Sequence, residues 1–310
     1  MRALLTTTAF FAALTLSACG QSTSAAKEQP ATTASATEAA ASADGQSSLT
    51  VAPRGALAAN QPVTLTLTLK DASGAPLGPD AIATSHTQKV HVMIVDAALQ
   101  DYTHAHATPG ATPGEWTVSF TPKFARTYRV WADFKLATGE EAGAHSHGDG
   151  GHDHGDGGHA HEEAAKSDEH GQTPSAILTV GTETSPAVAP TQTLTGEAGG
   201  LKFSLSLGGP ANADAHVPAT LVVTDAAGQP FAALEPIMGA YAHLVGFSAD
   251  GSTMVHAHPE GAEPQDTSAR GGPALTFELH PIVAGPNRLF LQVRKDGAVI
   301  TVPLTLMVSP

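Results

Sequence analysis

A histidine followed, thirteen residues on, by a His-x-His pair occurs twice: His91 with His104 and His106, and His243 with His256 and His258. Six of the sixteen histidines are thus placed by one repeated spacing. Residues two apart on a strand share a face, so each His-x-His pair is a two-point chelate. Asp250-Gly251 reads as a two-residue hairpin turn, which sets position i opposite 501 minus i. His243 then faces His258, Val245 faces His256, and Phe247 faces Met254. The same register in the first copy, i opposite 197 minus i, sets His91 against His106 and Met93 against His104. Cross-strand neighbours lie within reach of one ion. The expectation is therefore two sites, one per copy, each of three imidazoles with a nearby thioether from Met93 or Met254; the open alternative is one ion bound jointly, should the two hairpins face each other. That donor set suits copper better than magnesium or calcium. Zinc, which accepts three histidines plus water, is the alternative.

A second concentration of histidine lies in "AHSHGDGGHDHGDGGHAHEE". His145 with His147, His152 with His154, and His159 with His161 recur every seven residues among carboxylates, and His170 follows. This glycine-rich tract, within an insertion at 144–171, is too polar to build a core. It reads as a low-specificity sponge for several transition-metal ions.

The framework that must position the hairpins repeats with them. "VTLTLTLKDASGAPL" answers "VPATLVVTDAAGQPF", so Asp71, Gly74 and Pro76 correspond to Asp225, Gly228 and Pro230. "TYRVWADFK" answers "PNRLFLQVRKDG". Short runs rich in Val, Thr, Leu and Phe with period-two alternation are separated by Gly, Pro, Asp and Asn turns, the pattern of an all-β sandwich. With 31 glycines and 22 prolines, long helices are not expected. The predicted organisation is a β-sandwich at 49–182 carrying the insertion, a linker at 183–199, and a second β-sandwich at 200–310.

At the start of the chain, Arg2 precedes an apolar run ending in Leu16-Ser17-Ala18-Cys19. That box resembles the bacterial lipoprotein signal, which implies removal of residues 1–18 and a lipid on Cys19. Gly20 after the cysteine implies outer-membrane sorting, facing the periplasm. Cys19 is the only cysteine, so no internal disulfide can form. The Ala-, Ser- and Thr-rich stretch from residue 19 to 48 reads as a disordered tether, with a reach of about 30 Å. The formal charge of −14, from 15 basic and 29 acidic residues, disfavours nucleic acid and anionic lipid headgroups and favours cations as partners.

The segments "VHVMIVD" with "THAHA", and "AHLVGF" with "VHAHPEG", in their β-rich setting, resemble the YtkA-like and related immunoglobulin-like domains of exported bacterial proteins. The resemblance implies tandem immunoglobulin-like sandwiches and metal handling. The resulting expectation is a lipid-anchored envelope protein that captures, buffers or delivers copper or zinc, with a metal transporter or chaperone as its recipient, and no catalytic residues. The competing enzyme reading is a copper-zinc superoxide dismutase relative, on the His-x-His strand alone. A zinc hydrolase motif is not completed by "HEEAA", and no nucleophile elbow is present. His86, His216 and His280 have no counterpart in the other copy and are expected at the surface.

Overall fold

The computed structural model describes residues 40–41 (backbone only), 47–137, 171–184, 191–281 and 283–310. The signal segment, Cys19, most of the tether and the histidine-rich tract from His145 to His170 lie outside the described residues. Among the described residues, no helix is long and apolar enough to cross a membrane.

The first half contains β1 (Ala40–Ala41), β2 (Ser47–Pro53), β3 (Val63–Asp71), β4 (His91–Asp96), β5 (Tyr102–His106), β6 (Thr108–Pro109), β7 (Glu115–Phe120), β8 (Thr127–Lys135), β9 (Gly171–Gln172) and β10 (Ser175–Thr179). The second contains β11 (Thr195–Ala198), β12 (Leu201–Leu207), β13 (Val217–Asp225), β14 (Ala242–Ser248), β15 (Met254–Ala257), β16 (Ala274–Leu279), β17 (Gly285–Lys295) and β18 (Ala298–Val308). They form two tandem β-sandwiches. The sheets run β1-β2-β3-β7-β6 against β10-β8-β4-β5, then β11-β12-β13-β16 against β15-β14-β17-β18.

Alternation builds each sandwich. In β3 the leucines 65, 67 and 69 are fully buried while the intervening threonines face outward. They pack on Val92, Ile94, Tyr128 and Val130 of the opposite sheet. The second core repeats the scheme with Phe203, Leu221, Val223, Leu244 and Leu291. The repeated Asp-x-x-Gly turns also match: Asp71 and Asp225 each accept the N–H of a glycine three residues on, at 3.0 Å, and those glycines, Gly74 and Gly228, sit at φ 85° and 81°. That left-handed backbone favours glycine.

Two strands break the alternation. Every residue of β4 and of β14 is buried, because each strand has a sandwich core on one face and the other sandwich on its second face. Met93, Val95, Leu99, Tyr102 and Trp131 of the first sandwich meet Val245, Phe247, Met254 and Phe290 of the second in one apolar cluster. Tyr102 stacks on Phe290 at 4.5 Å between ring centroids. The two halves thus join face to face through equivalent strands.

Candidate metal centre

Both hairpins adopt the expected register. His91 pairs with His106 and Met93 with His104; Val245 pairs with His256 and Phe247 with Met254. The second turn is a four-residue loop rather than a two-residue one, closed by the Ser248 N–H on the Thr253 carbonyl. Asp250 Oδ1 accepts from the Ser248 and Ser252 hydroxyls and the Ser252 N–H. Its carboxyl is held down at about 2, mainly by those hydrogen bonds. Four residues and two residues centred at the same point give the same pairing, so the histidines stay in register. The first hairpin uses the same device: Asp96 Oδ1 accepts from the Gln100 and Asp101 N–H groups.

The rows of histidine continue the interface beyond its apolar cluster, on the same strand faces. His91 and His243 are buried, at 3% and 0% exposure. Each lies six residues after a carbonyl that accepts from its Nε2–H: Ser85 for His91 at 3.1 Å and Ile237 for His243 at 2.9 Å. Since a carbonyl only accepts, the proton is fixed on Nε2 and Nδ1 is left with its lone pair, the arrangement that orients a metal ligand. The carbonyls are presented by matching tight turns, with His86 and Thr87 at φ 47° and 71° and Met238 and Gly239 at 48° and 86°.

Two groups of histidines bring ligand nitrogens within 4.8 Å of one another: His91, His104 and His106, and His104, His243 and His256. The first is the triad expected of copy one. The second differs from the triad expected of copy two: His104 of the first sandwich joins His243 and His256, where His258 was expected, as in the alternative of hairpins that face each other. Face-to-face docking brings His104 to 4.8 Å and 4.9 Å from the His243 and His256 ring centroids. His258 packs beside them, 4.3 Å from His256, with its Nε2 buried and without a partner among the described residues.

Met93 and Met254, expected as thioether ligands, are placed in the interdomain apolar cluster. They share that layer with Trp131, Phe247 and other apolar side chains, which accounts for them as packing residues. His216 and His280 are exposed, as expected, and stack on each other at 4.5 Å away from the centre. His86 departs from expectation: its ring lies 3.8 Å from that of His258, and its Nδ1 contacts Glu263 at 2.6 Å.

Asp133 on β8 was not anticipated. It pairs across the ladder with His91, and its Oδ2 lies 2.7 Å from Nδ1 of His256 in the other sandwich. Burial raises the Asp133 carboxyl, but the hydrogen bond and charge of His256 outweigh it, and the net shift is downward. The corresponding position beside His243 is Gln292, so the carboxylate is supplied from one side only.

Electrostatics favour neutral imidazoles at five positions. Burial first, and then a neighbouring histidine (His91 for His106, His256 for the others), lower His91, His104, His106, His243 and His258 below the ordinary histidine value, His106 to about 4. Among the described residues, Nδ1 of His91, both nitrogens of His104, and Nε2 of His106 and His258 are buried without hydrogen-bond partners. Each such group costs about 1–3 kcal/mol if left bare, a cost that metal bonds would remove. His243 Nδ1 and His256 Nε2 face each other at 3.3 Å. Two nitrogens bound tetrahedrally at about 2.0–2.1 Å to one ion are about 3.3–3.4 Å apart, so the separation fits a shared ion. A cavity of about 190 Å³ lined by His86, Tyr241, His258, Glu260 and Glu263 reaches this end of the cluster.

No curated protein matches the chain. Two solved structures share weak similarity: pT26-6p, at 10% identity and a TM-score of 0.23, covering 88% of this chain and 65% of that one, and a Salmonella alpha-2-macroglobulin variant, at 11% identity and 0.23, covering 84% and 16%. The chain therefore spans less than two thirds of either. A family model described as a domain of unknown function, DUF8832, matches residues 41–147 and 196–310, well over half of the chain, and the chain belongs to the DUF8832 family.

Proposed function

We propose that this protein binds transition-metal ions, copper first and zinc second, at the histidine centre between its two sandwiches, and serves to capture, buffer or deliver them. The observation that carries the reading is the convergence of His104, His243 and His256, with His256 oriented by Asp133 and His243 by the Ile237 carbonyl. Carboxylate- and carbonyl-oriented imidazoles with inward lone pairs are the donor set of a nitrogen-ligated metal. The acidic rim of Glu260 and Glu263 beside the cavity favours cation entry.

In the same reading, Cys19 carries a lipid that anchors the chain to the outer membrane on its periplasmic side. The tract from His145 to His170 gathers ions at low affinity, and a metal exporter, importer or chaperone receives them. The reading is one of binding rather than turnover. Superoxide consumption by the loaded protein, at rates above free copper, would replace it with the dismutase alternative.

The test uses the whole chain with the seven histidines of the tract replaced by alanine, dialysed against copper or zinc and measured by elemental analysis and calorimetry. Retained copper that is lost in H243A supports the reading. Zinc retained in preference to copper shifts it to zinc. No retained metal overturns it.

A further inference from the structure

His104 belongs to both histidine groups. Its ring neighbours both, 5.8 Å and 6.0 Å from His91 and His106 and 4.8 Å and 4.9 Å from His243 and His256, in a cluster where His91 and His256 are themselves 5.6 Å apart. His91, His243 and His256 each commit one nitrogen to an oxygen: the Ser85 carbonyl, the Ile237 carbonyl and the Asp133 carboxylate. His104 has both nitrogens buried and neither partnered among the described residues. A histidine that gives one nitrogen to a metal keeps an N–H on the other, and a buried N–H needs an acceptor.

One ion does not use this donor set. Transition metals take about four ligands in nitrogen sites of this kind, whereas the two groups together supply five imidazoles, with His104 common to both.

We propose that the centre is dinuclear: two divalent transition-metal ions, one held by His91 and His106 and the other by His243 and His256, are bridged by the ring of His104. The proposal rests on the metal-binding reading above. When the second ion binds, a metal–nitrogen bond forms at the remaining His104 nitrogen, its N–H bond breaks, and the proton leaves to solvent. The bridging imidazolate then carries one negative charge between two dications, and Asp133 supplies a second. No electron is transferred.

Copper(II) is the probe. The whole chain with the tract histidines replaced by alanine is loaded with excess copper(II) and desalted; copper per chain is measured by elemental analysis and unpaired spins by low-temperature electron paramagnetic resonance. Two coppers per chain are expected, with an integrated spin intensity well below the copper content, because the bridge couples the two spins. In H104A the remaining copper should give one spin per ion. The unsubstituted centre decides the matter even if H104A does not fold. One copper per chain, or two coppers with full spin intensity, overturns the bridge while leaving metal binding intact. No bound copper overturns the metal-binding reading itself, and the bridge with it.

Discussion

Nδ1 of His256 lies 2.7 Å from Oδ2 of Asp133, and the two residues belong to different sandwiches, 123 positions apart in the chain. Nδ1 of His256 donates to the carboxylate, and its Nε2 faces Nδ1 of His243 at 3.3 Å. In the metal-binding reading proposed above, an ion would sit between those two nitrogens while the Asp133 contact holds the His256 ring where it is.

Replacing Asp133 by asparagine should therefore weaken metal binding about 10- to 100-fold, the usual cost of losing the group that orients a ligating histidine. Competition with a chromophoric chelator measures it. Unchanged affinity in D133N would make the contact a structural pairing between the sandwiches.

The metal-free fold should lose stability in acid. His106 is held at about 4, and His91, His104, His243 and His258 also below the ordinary value, whereas in the unfolded chain they titrate near 6.5. Between those values the unfolded state binds more protons, so stability falls as pH drops from about 6.5 toward 4. Thermal melting of the chelator-treated protein should give a lower Tm at pH 5 than at pH 7.5. An equal or higher Tm at pH 5 would contradict the assignment of neutral buried rings.

Phe247 is fully buried in the apolar layer between the sandwiches. Phe247→Ala should cost about 3–5 kcal/mol and weaken metal binding as well, because the layer keeps His104 against His243 and His256. Calorimetric melting and copper titration on the same sample check both effects. Lost stability with undiminished affinity would separate domain docking from the centre.

The tract from His145 to His170 should take up metal in proportion to its neutral imidazoles, with capacity falling below about pH 6 as protons compete. Comparing uptake by the whole chain and by its tract-substituted form at pH 7.5 and pH 5 isolates this component. Equal tract uptake at both values would rule out imidazole ligation there.

The hairpin registers were legible because a period-two pattern and a turn centre fix which residues face each other, whatever the turn's length. Met254 opposite Phe247 follows from that rule alone. A shared centre was legible only as an open alternative, since it depends on which sheet faces meet, a tertiary relationship that no local period encodes. A trace of it was present: "HVMIVD" and "AHLVGFS" carry apolar residues at both parities, the mark of strands buried on both sides. Asp133 was missed because its partner lies on the other sandwich, although it is the one carboxylate of β8 and falls in register with His91. Met93 and Met254, expected near the ligands, lie in the apolar layer, because a strand face that carries histidines at one end can serve as packing surface at the other.

The sandwiches meet through corresponding surfaces, β4, β5 and β8 on one side and β14, β15 and β17 on the other. That is the self-complementary contact of a two-fold homodimer, here written into a single chain. Fusion lets the halves of such a contact diverge independently: Asp133 stands on one side where Gln292 stands on the other. A dimer of identical subunits would have to carry both residues or neither, so covalent linkage gives this centre a polarity that exact symmetry would forbid.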